Sequence, residues 1–250
     1  KWRVLNRNGN DTLLLADVVL DYQEYNTNYY EDVTWESSSM RSWLNGYGAS
    51  INQPKTDYSR KNFINSAFTS TQRSAIKTTN VVNNNNINYG TTGGKNTSDK
   101  VFLLSESEVY YTDTAAGYGF IKDDNTYDEA RRSRCSTYAY AMGTERYYAK
   151  SAEGGFTKYN GNIWWWLRSP GSYSDYAAEV DSGGYVEGYG IDVNYVSDGV
   201  RPALHLNLAS SNLYSYAGTV CSDGTKSGDS GSDNPVNPGK PAGEITTTPT

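Results

Sequence analysis

Two motifs decide the fold: WWWLRSPG at residues 164–171 and GVRPALHL at residues 199–206, separated by a stretch rich in Gly, Tyr and Asp. Successive side chains of a strand alternate between its two faces, so three consecutive Trp cannot all face one side. We therefore expect Trp165 to differ from its neighbours and to reach the opposite face or the surface.

Tyrosine replaces aliphatic side chains as the main apolar material of the chain. The 250 residues include 23 Tyr and 24 Gly, whereas hydrophobic residues make up only 36%. A tyrosine buries its ring and keeps a hydroxyl for water or a ligand, which suits a surface that meets sugars. The alternative interpretation is a Tyr-rich β-domain without a ligand.

Charge and hydropathy exclude two classes of partner. The net charge is −6 and the Lys and Arg residues are scattered, which argues against nucleic acid. The sequence contains no run of about 18 apolar residues, so it does not predict membrane insertion. Lys1 does not begin a signal peptide, and we expect a piece of a longer extracellular protein, either secreted or attached to the cell surface.

Two cysteines and one histidine limit metal and redox chemistry. Cys135 and Cys221 form no CxxC or Cys/His cluster, which argues against structural zinc. A disulfide between them is possible, but it depends on a Cα separation that the sequence does not give. His205 alternates with Leu204 and Leu206, which predicts an outward strand position.

Local signals predict helices and strands in an α+β arrangement. Asn8-Gly9 favours a hairpin turn before a strand over residues 13–20. Ser37 or Ser38 can cap a first helix, in which Met40, Trp43 and Leu44 share one face and Gly46 marks the end. Capping boxes at 69–72 and 105–108 predict two short helices. A further helix is predicted at 131–142 and ends at Gly143. Predicted strands cover residues 101–104, 164–167, 177–180, 185–186, 191–193 and 200–206.

Two stretches are predicted to contain neither helices nor strands. Residues 81–100 are Gly- and Asn-rich and predict a long surface loop. Residues 223–250 contain no aromatic side chains and are rich in Gly, Ser, Pro and Thr. This composition predicts a flexible linker to further modules. The folded domain is then expected to span residues 1–222.

Five motifs in a fixed order carry a family resemblance. They are VTWESSSMRSWLN (33–45), DKVFLLSESEV (99–109), RCSTYAYAMG (134–143), WWWLRSPG and DGVRPALHLNL (198–208). Together they resemble an uncharacterised domain family of surface and secreted proteins from Gram-positive gut bacteria. That family is similar in its C-terminal sheet to the C-type-lectin-like fold, which implies a twisted antiparallel sheet, a few short helices, long loops and termini close together.

The resemblance does not bring a mechanism with it. The chain lacks the Glu-Pro-Asn-like and Trp-Asn-Asp motifs of calcium-dependent lectins, and no motif aligns its cysteines with the reactive pair of formylglycine-generating enzymes. The fold also hosts unrelated activities, so function has to be argued from the site.

The stretch between the two motifs predicts a ligand-binding surface, with solvated β-surface as the alternative. Arg168 and Arg201 are expected to anchor loops through backbone carbonyls rather than to bind ligand. The candidate ligand-binding residues are Trp165, Tyr173, Tyr176, Tyr185, Tyr189 and Tyr195 as aromatic contacts, with Asp175, Asp192 and Asn194 as partners for sugar hydroxyls.

Catalytic and metal sites are weaker hypotheses. Glu179 and Asp181 share a strand face, as a glycosidase pair would, but we expect both to be exposed. Asp192, Asn194 and Asp198 suggest calcium without the EF-hand pattern, and residues 122–129 do the same. We therefore expect no cofactor and no metal, with calcium as a possibility.

The resulting function is a non-catalytic carbohydrate-binding module that binds a polysaccharide through aromatic stacking. Starch, an α-glucan, is favoured because the chain resembles starch-adherence proteins of a cell-surface amylase complex. The alternatives are a protein-binding adhesion module with a variable Tyr/Ser/Asp surface and, less favoured, a lectin-fold enzyme.

Overall fold

The computed structural model describes residues 1–28, 30–122, 127–142, 162–195 and 198–209. The strands are β1 (Trp2–Asn8), β2 (Asp11–Ala16), β3 (Asp21–Tyr22), β4 (Ile76–Lys77), β5 (Thr79–Val81), β6 (Thr97–Asp99), β7 (Val101–Phe102), β8 (Trp165–Pro170), β9 (Tyr176–Val180), β10 (Val186–Asp192), β11 (Gly199–Val200) and β12 (Ala203–Asn207). The helices are α1 (Ser39–Asn45), α2 (Phe63–Ala67), α3 (Ser70–Ala75), α4 (Glu106–Val109), α5 (Asp113–Gly117) and α6 (Thr137–Met142). The predicted α+β class, with antiparallel pairing and few short helices, is confirmed. No helix in the described ranges has the length and apolarity to cross a bilayer.

The first sheet brings the two ends of the described chain side by side. Its order is β1-β2-β12-β4, and β7 also pairs with β12. Strand β12 is central and antiparallel to β2, with Ala203 opposite Leu15 and Leu204 opposite Leu14. The last described strand therefore completes the sheet that the first hairpin begins.

The predicted N-terminal hairpin is confirmed. Asn8 lies opposite Asp11, and Gly9 in the turn has a φ of 59°, a left-handed conformation that glycine adopts without strain. The second strand is shorter than the predicted 13–20, because the chain leaves the first sheet after Ala16. Leu20 then donates a hydrogen bond to a carbonyl of β11 in the second sheet.

The second sheet has the order β10-β9-β8-β11-β3. Its pairings are antiparallel except that of β8 with β11, where Gly199 lies opposite Trp165 in parallel. The prediction of one strand over 200–206 is wrong, since β11 ends at Val200 and β12 begins in the other sheet. Pro202, which has no N–H for a ladder, lies in this crossing between the sheets.

The helices with clear caps were predicted correctly. The Ser38 side chain accepts a hydrogen bond from Arg41 N at the start of α1, and Gly46 ends that helix with a φ of 73°. Reciprocal capping boxes begin α3 at Thr69 and α4 at Ser105. These signals are local, so the sequence is sufficient to place them.

The predicted helix at 131–142 is correct only in its second half, since α6 begins at Thr137. Arg131 is buried, and its guanidinium donates to Gly184 O at 2.7 Å and Val109 O at 3.0 Å. These long-range bonds hold residue 131 in non-helical chain. Gly143, Cys221 and residues 223–250 lie outside the described residues.

His205 has the strand position that its alternation predicted, on β12. Its ring is half-buried rather than fully outward, because it stacks on Phe102 with ring centroids 6.1 Å apart. Its Nδ1 lies 2.8 Å from a carboxylate oxygen of Asp11. The imidazole thus joins the neighbouring strands of the first sheet.

Trp165 takes one of its two expected positions, the opposite face of the strand, but it does not reach the surface. Trp165 and Trp166 lie on opposite faces of β8, yet both are completely buried because both faces of the sheet are covered. Each indole N–H has a backbone acceptor, Arg131 O at 3.1 Å and Gln23 O at 3.0 Å. Trp164, just before the strand, is the half-buried member of the three.

Arg168 and Arg201 are interior side chains that bond to backbone carbonyls. Arg168 donates to Leu103 O at 2.7 Å and Val82 O at 2.9 Å, and it pairs with Glu108. Arg201 donates to Ala16 O at 3.0 Å and Arg131 O at 2.9 Å, and its guanidinium lies 4.9 Å from the Trp165 ring centroid. Both arrangements hold separate segments together, which is the geometry of an anchor.

Asp99 is a completely buried carboxylate that joins α1 to β6. It accepts hydrogen bonds from Trp35 Nε1 at 3.0 Å, Arg41 Nε at 2.8 Å, Tyr47 Oη at 3.0 Å and Thr97 Oγ1 at 2.6 Å. Burial and the Asp99 charge raise the pKa of Tyr47 to about 12. The carboxylate is therefore fully hydrogen-bonded and matched by the guanidinium of Arg41.

Replacing this carboxylate should destabilise the domain strongly. Asp99→Asn removes the counter-charge of the buried Arg41, and we expect the free energy of unfolding to fall by about 3–5 kcal/mol. Urea denaturation measures the change, with Asp57→Asn at an exposed carboxylate as the matched control. A loss for Asp99→Asn no larger than that of the control would contradict this role.

Candidate functional site

Four tyrosine rings meet on the surface at one end of the second sheet. We call Tyr89, Tyr173, Tyr176 and Tyr189 the tyrosine cluster. Tyr189 lies at its centre, with ring centroids 5.7 Å from Tyr89, 6.0 Å from Tyr173 and 5.9 Å from Tyr176, all edge to face. Tyr173 and Tyr176 also contact each other at 5.3 Å. Edge-to-face packing at these distances is a favourable arrangement for aromatic rings.

The cluster is exposed rather than part of the core. Relative exposure is 56% for Tyr173, 51% for Tyr89 and 47% for Tyr189, and Tyr176 is half-buried beside them. A hydrogen bond between the hydroxyls of Tyr189 and Tyr173 raises the pKa of Tyr173. The rings therefore hold one another in place while a large aromatic area faces solvent.

The backbone of β9 and β10 explains why these rings converge. The register between the two strands shifts between Glu187 and Ile191, and Tyr189 lies in this bulge. A Cβ at Gly190 would lie 2.3 Å from Ala177 O, and one at Gly171 would lie 2.5 Å from Tyr189 O. Glycine at both positions permits the close approach that brings the loop before β9 against the bulge.

Asn86 places the fourth ring. Its buried side chain donates to Pro170 O and to Gly188 O, both at 2.8 Å, and accepts from the backbone N–H of Asn88 and Tyr89. One amide thus ties the loop to β8 and β10 and turns Tyr89 onto the cluster.

The Asn-rich stretch 81–100 is therefore only partly the surface loop that its composition predicts. β5 and β6 pair across it, and Asn83 and Asn86 are buried. Tyr89 is the ring that sequence reasoning missed. The sequence shows Tyr89 only as an aromatic residue in a polar loop. Its contact with Tyr189, and the bond from Asn86 to Gly188 that supports it, join residues about a hundred positions apart.

Two predicted polar partners lie beside the rings. The carboxylates of Asp192 and Asp175 raise the pKa of Tyr176 in addition to the effect of burial. Val193 N donates to Asp175 O at 3.0 Å, which joins the loop before β9 to the end of β10. The structure thus brings together five of the predicted residues: Tyr173, Tyr176, Tyr189, Asp175 and Asp192.

The other predicted residues have different positions. Trp165 is in the core, so its assignment to the platform is wrong. Tyr185 packs on Tyr127 at 6.2 Å, at the far end of the β9–β10 hairpin, which lies ~17 Å along the strands from the cluster. Asn194 and Tyr195 follow β10, and of these Tyr195 is exposed.

The carboxylate hypothesis needs a correction as well. Glu179 is buried rather than exposed, and it faces the equally buried Asp198. Asp181 is half-buried and accepts from Gly183 N and Tyr185 N at 2.8 Å, which closes the turn between β9 and β10. Burial follows from the strand position, since Glu179 lies opposite Trp166 in the middle of the sheet.

No group of three or more His, Cys, Asp or Glu side chains within the described ranges is placed to bind a metal ion. Asp198 faces Glu179 rather than forming a site with Asp192 and Asn194. Within the proposed calcium segment at 122–129, residues 123–126 lie outside the described residues.

A family model described as a domain of unknown function (DUF6273) matches residues 9–208, and the chain belongs to that family. No curated protein and no solved structure matches the chain. The C-type-lectin-like fold and the likeness to gut bacterial surface proteins therefore stay predictions.

The buried pair predicts a pH dependence of stability. Burial and the neighbouring Asp198 raise the pKa of Glu179 far above its ordinary value of 4.5. Glu187 and Asp181 act in the same direction. Above the ordinary pKa the unfolded side chain is ionised while the folded one keeps its proton, so unfolding releases a proton and stability falls as pH rises.

We expect Glu179→Gln to reduce this fall, because the amide is neutral at every pH, while the buried Glu106, whose pKa is raised to about 7, still contributes. The wild type should lose up to about 1.4 kcal/mol per pH unit between about pH 5 and pH 8, and the variant less. Urea denaturation at several pH values checks this, with Glu31→Gln at an exposed position as control. If stability depends on pH in the same way for the wild type and Glu179→Gln, the folded protein does not hold a proton on Glu179 in this range.

Proposed function

We propose that the domain is a non-catalytic carbohydrate-binding module that binds a polysaccharide through the tyrosine cluster. The observation that carries the proposal is the exposure of three contacting rings, Tyr89, Tyr173 and Tyr189, beside two carboxylates. Aromatic rings offer apolar area to the C–H faces of a sugar, and a few fixed polar groups bind its hydroxyls.

The polar groups support the same ligand. Asp192 lies opposite Tyr176 in the register of β9 and β10, and Asp175 precedes Tyr176 in the chain, so acceptors for sugar hydroxyls lie near the rings. The phenol hydroxyls supply further donors and acceptors. Such a surface can bind a polysaccharide chain without a deep pocket.

A non-catalytic role is the better account of the carboxylates. Glu179, one member of the only pair suggested by sequence, is buried and faces the buried Asp198, and burial together with that neighbour raises the pKa of its carboxyl. A glycosidase pair has to flank the scissile bond of the substrate. A polysaccharide on the surface does not reach this side chain.

The ligand we favour is an α-glucan such as starch, on the basis of the resemblance to starch-adherence proteins. That resemblance also underlies the proposed C-type-lectin-like scaffold and the extracellular location. A protein partner is the second candidate, since Tyr195 and Ile87 are also exposed and Tyr is the main contact residue of protein-binding loops.

Removing two rings tests the proposal. Tyr173→Ala with Tyr189→Ala should weaken retention on starch in affinity electrophoresis by about tenfold or more, the effect of losing about 1.4 kcal/mol of contact energy. Tyr138→Ala, at an exposed ring on α6, is the matched control.

The same gels with glycogen, cellulose, xylan and mucin define the glycan. Retention of the double variant equal to that of the wild type would refute the cluster as the site. A wild type that no glycan retards would refute carbohydrate binding and leave the protein partner.

A further inference from the structure

A second candidate site lies away from the tyrosine cluster, in a groove between the chain after β3 and helix α1. The groove offers a cavity of about 30 Å³, and part of it is open to solvent. It is lined by Gln23, Glu24, Thr27, Ser39, Met40, Trp43 and Tyr58. Polar and aromatic side chains thus converge on one small space.

Glu24 gives the groove a negative charge that the protein does not neutralise. No described residue forms an ion pair or a hydrogen bond with its side chain, although the residue is half-buried. Burial raises the pKa of Glu24, and its charge contributes to the raised pKa of Tyr58. A half-buried carboxylate without a cation is stabilised by a ligand that supplies one.

The aromatic walls add a second feature that favours a cation. Trp43 packs on Phe63 with ring centroids 5.6 Å apart and remains half-buried beside the groove. Tyr58 and Met40 also line the groove. Ring faces attract a cation through their quadrupole, most strongly when it is partly desolvated.

We propose that this groove binds a primary ammonium group, with Glu24 as its counter-charge and Trp43 and Tyr58 as its aromatic walls. Pockets that enclose whole drug-sized ligands span about 300–1,000 Å³. This groove is smaller, so it admits the end of a ligand rather than an entire sugar ring with its substituents. The proposal is independent of glycan binding at the tyrosine cluster.

Two sources carry such a group: a lysine side chain of a partner protein and an amino sugar of a glycan. Their shared chemistry is the ammonium, and they differ in what surrounds it. The probes are therefore Nα-acetyl-lysine methylamide and glucosamine, with N-acetyl-norleucine methylamide and glucose as their uncharged counterparts.

The experiment follows the indole N–H resonances of the full chain by NMR during titration with each probe. Trp43→Phe identifies the Trp43 signal. We expect the two ammonium probes to shift that signal saturably, and the uncharged counterparts to leave it in place. Added salt should weaken the binding, since an exposed charge pair is screened.

Glu24→Gln should weaken ammonium binding by about tenfold or more, whereas Glu31→Gln, at an exposed carboxylate that does not line the groove, should not change it. The remaining indole signals report whether each variant is folded. Tyr58→Leu is a second variant that removes one wall and should also weaken binding.

Each outcome decides between the sources or against the site. A shift by the lysine probe alone indicates a protein partner, and one by glucosamine alone an amino sugar. Absence of a saturable shift, an equal shift by the uncharged counterparts, or wild-type binding by Glu24→Gln would overturn the proposal. None of these results depends on retention by starch, so the two sites are tested separately.

Discussion

Buried guanidiniums bonded to backbone carbonyls are the interaction on which the rest of the structure depends. Arg131, Arg168 and Arg201 each donate to backbone carbonyl oxygens of segments far away in the chain. Such carbonyls are costly when buried and unpaired, and the rigid fork of an arginine satisfies more than one of them. The link between Arg201 and Arg131 O, beside the Trp165 ring, connects the two sheets where the chain crosses between them. Short strands and long irregular segments can therefore share one core.

This frame explains why the tyrosine cluster forms at an end of the second sheet. The β9–β10 bulge, the loop before β9 and the Asn86 loop all converge where β8 ends, and each is fixed by backbone hydrogen bonds. Exposed rings on a rigid base lose little conformational freedom when a ligand binds, which favours affinity without a deep cavity. The groove beside Trp43 differs from this surface, since it offers one charge and two ring faces in a confined space.

Sequence reasoning succeeded where the signals are local. The caps of α1, α3 and α4 and the first hairpin follow from residues within one or two turns of each other. It failed where distant segments decide. Trp165 and Glu179 are buried because sheet and loops cover both faces of β8, which strand alternation alone does not reveal. Tyr89 joined the candidate site through a side chain three residues earlier that bonds to strands far along the chain.

The central position of β12 has a consequence for biosynthesis. Arg201 bonds to Ala16 across 185 residues, and β12 forms the middle of a sheet that begins with the N-terminal hairpin. During translation the hairpin leaves the ribosome before the rest of the domain, and its strand edge and leucines stay unpaired until β12 has been made. Pairing between strands so far apart in the chain makes folding slow and leaves apolar side chains of the intermediates exposed to aggregation. This architecture is therefore suited to assistance by chaperones until β12 pairs with β2.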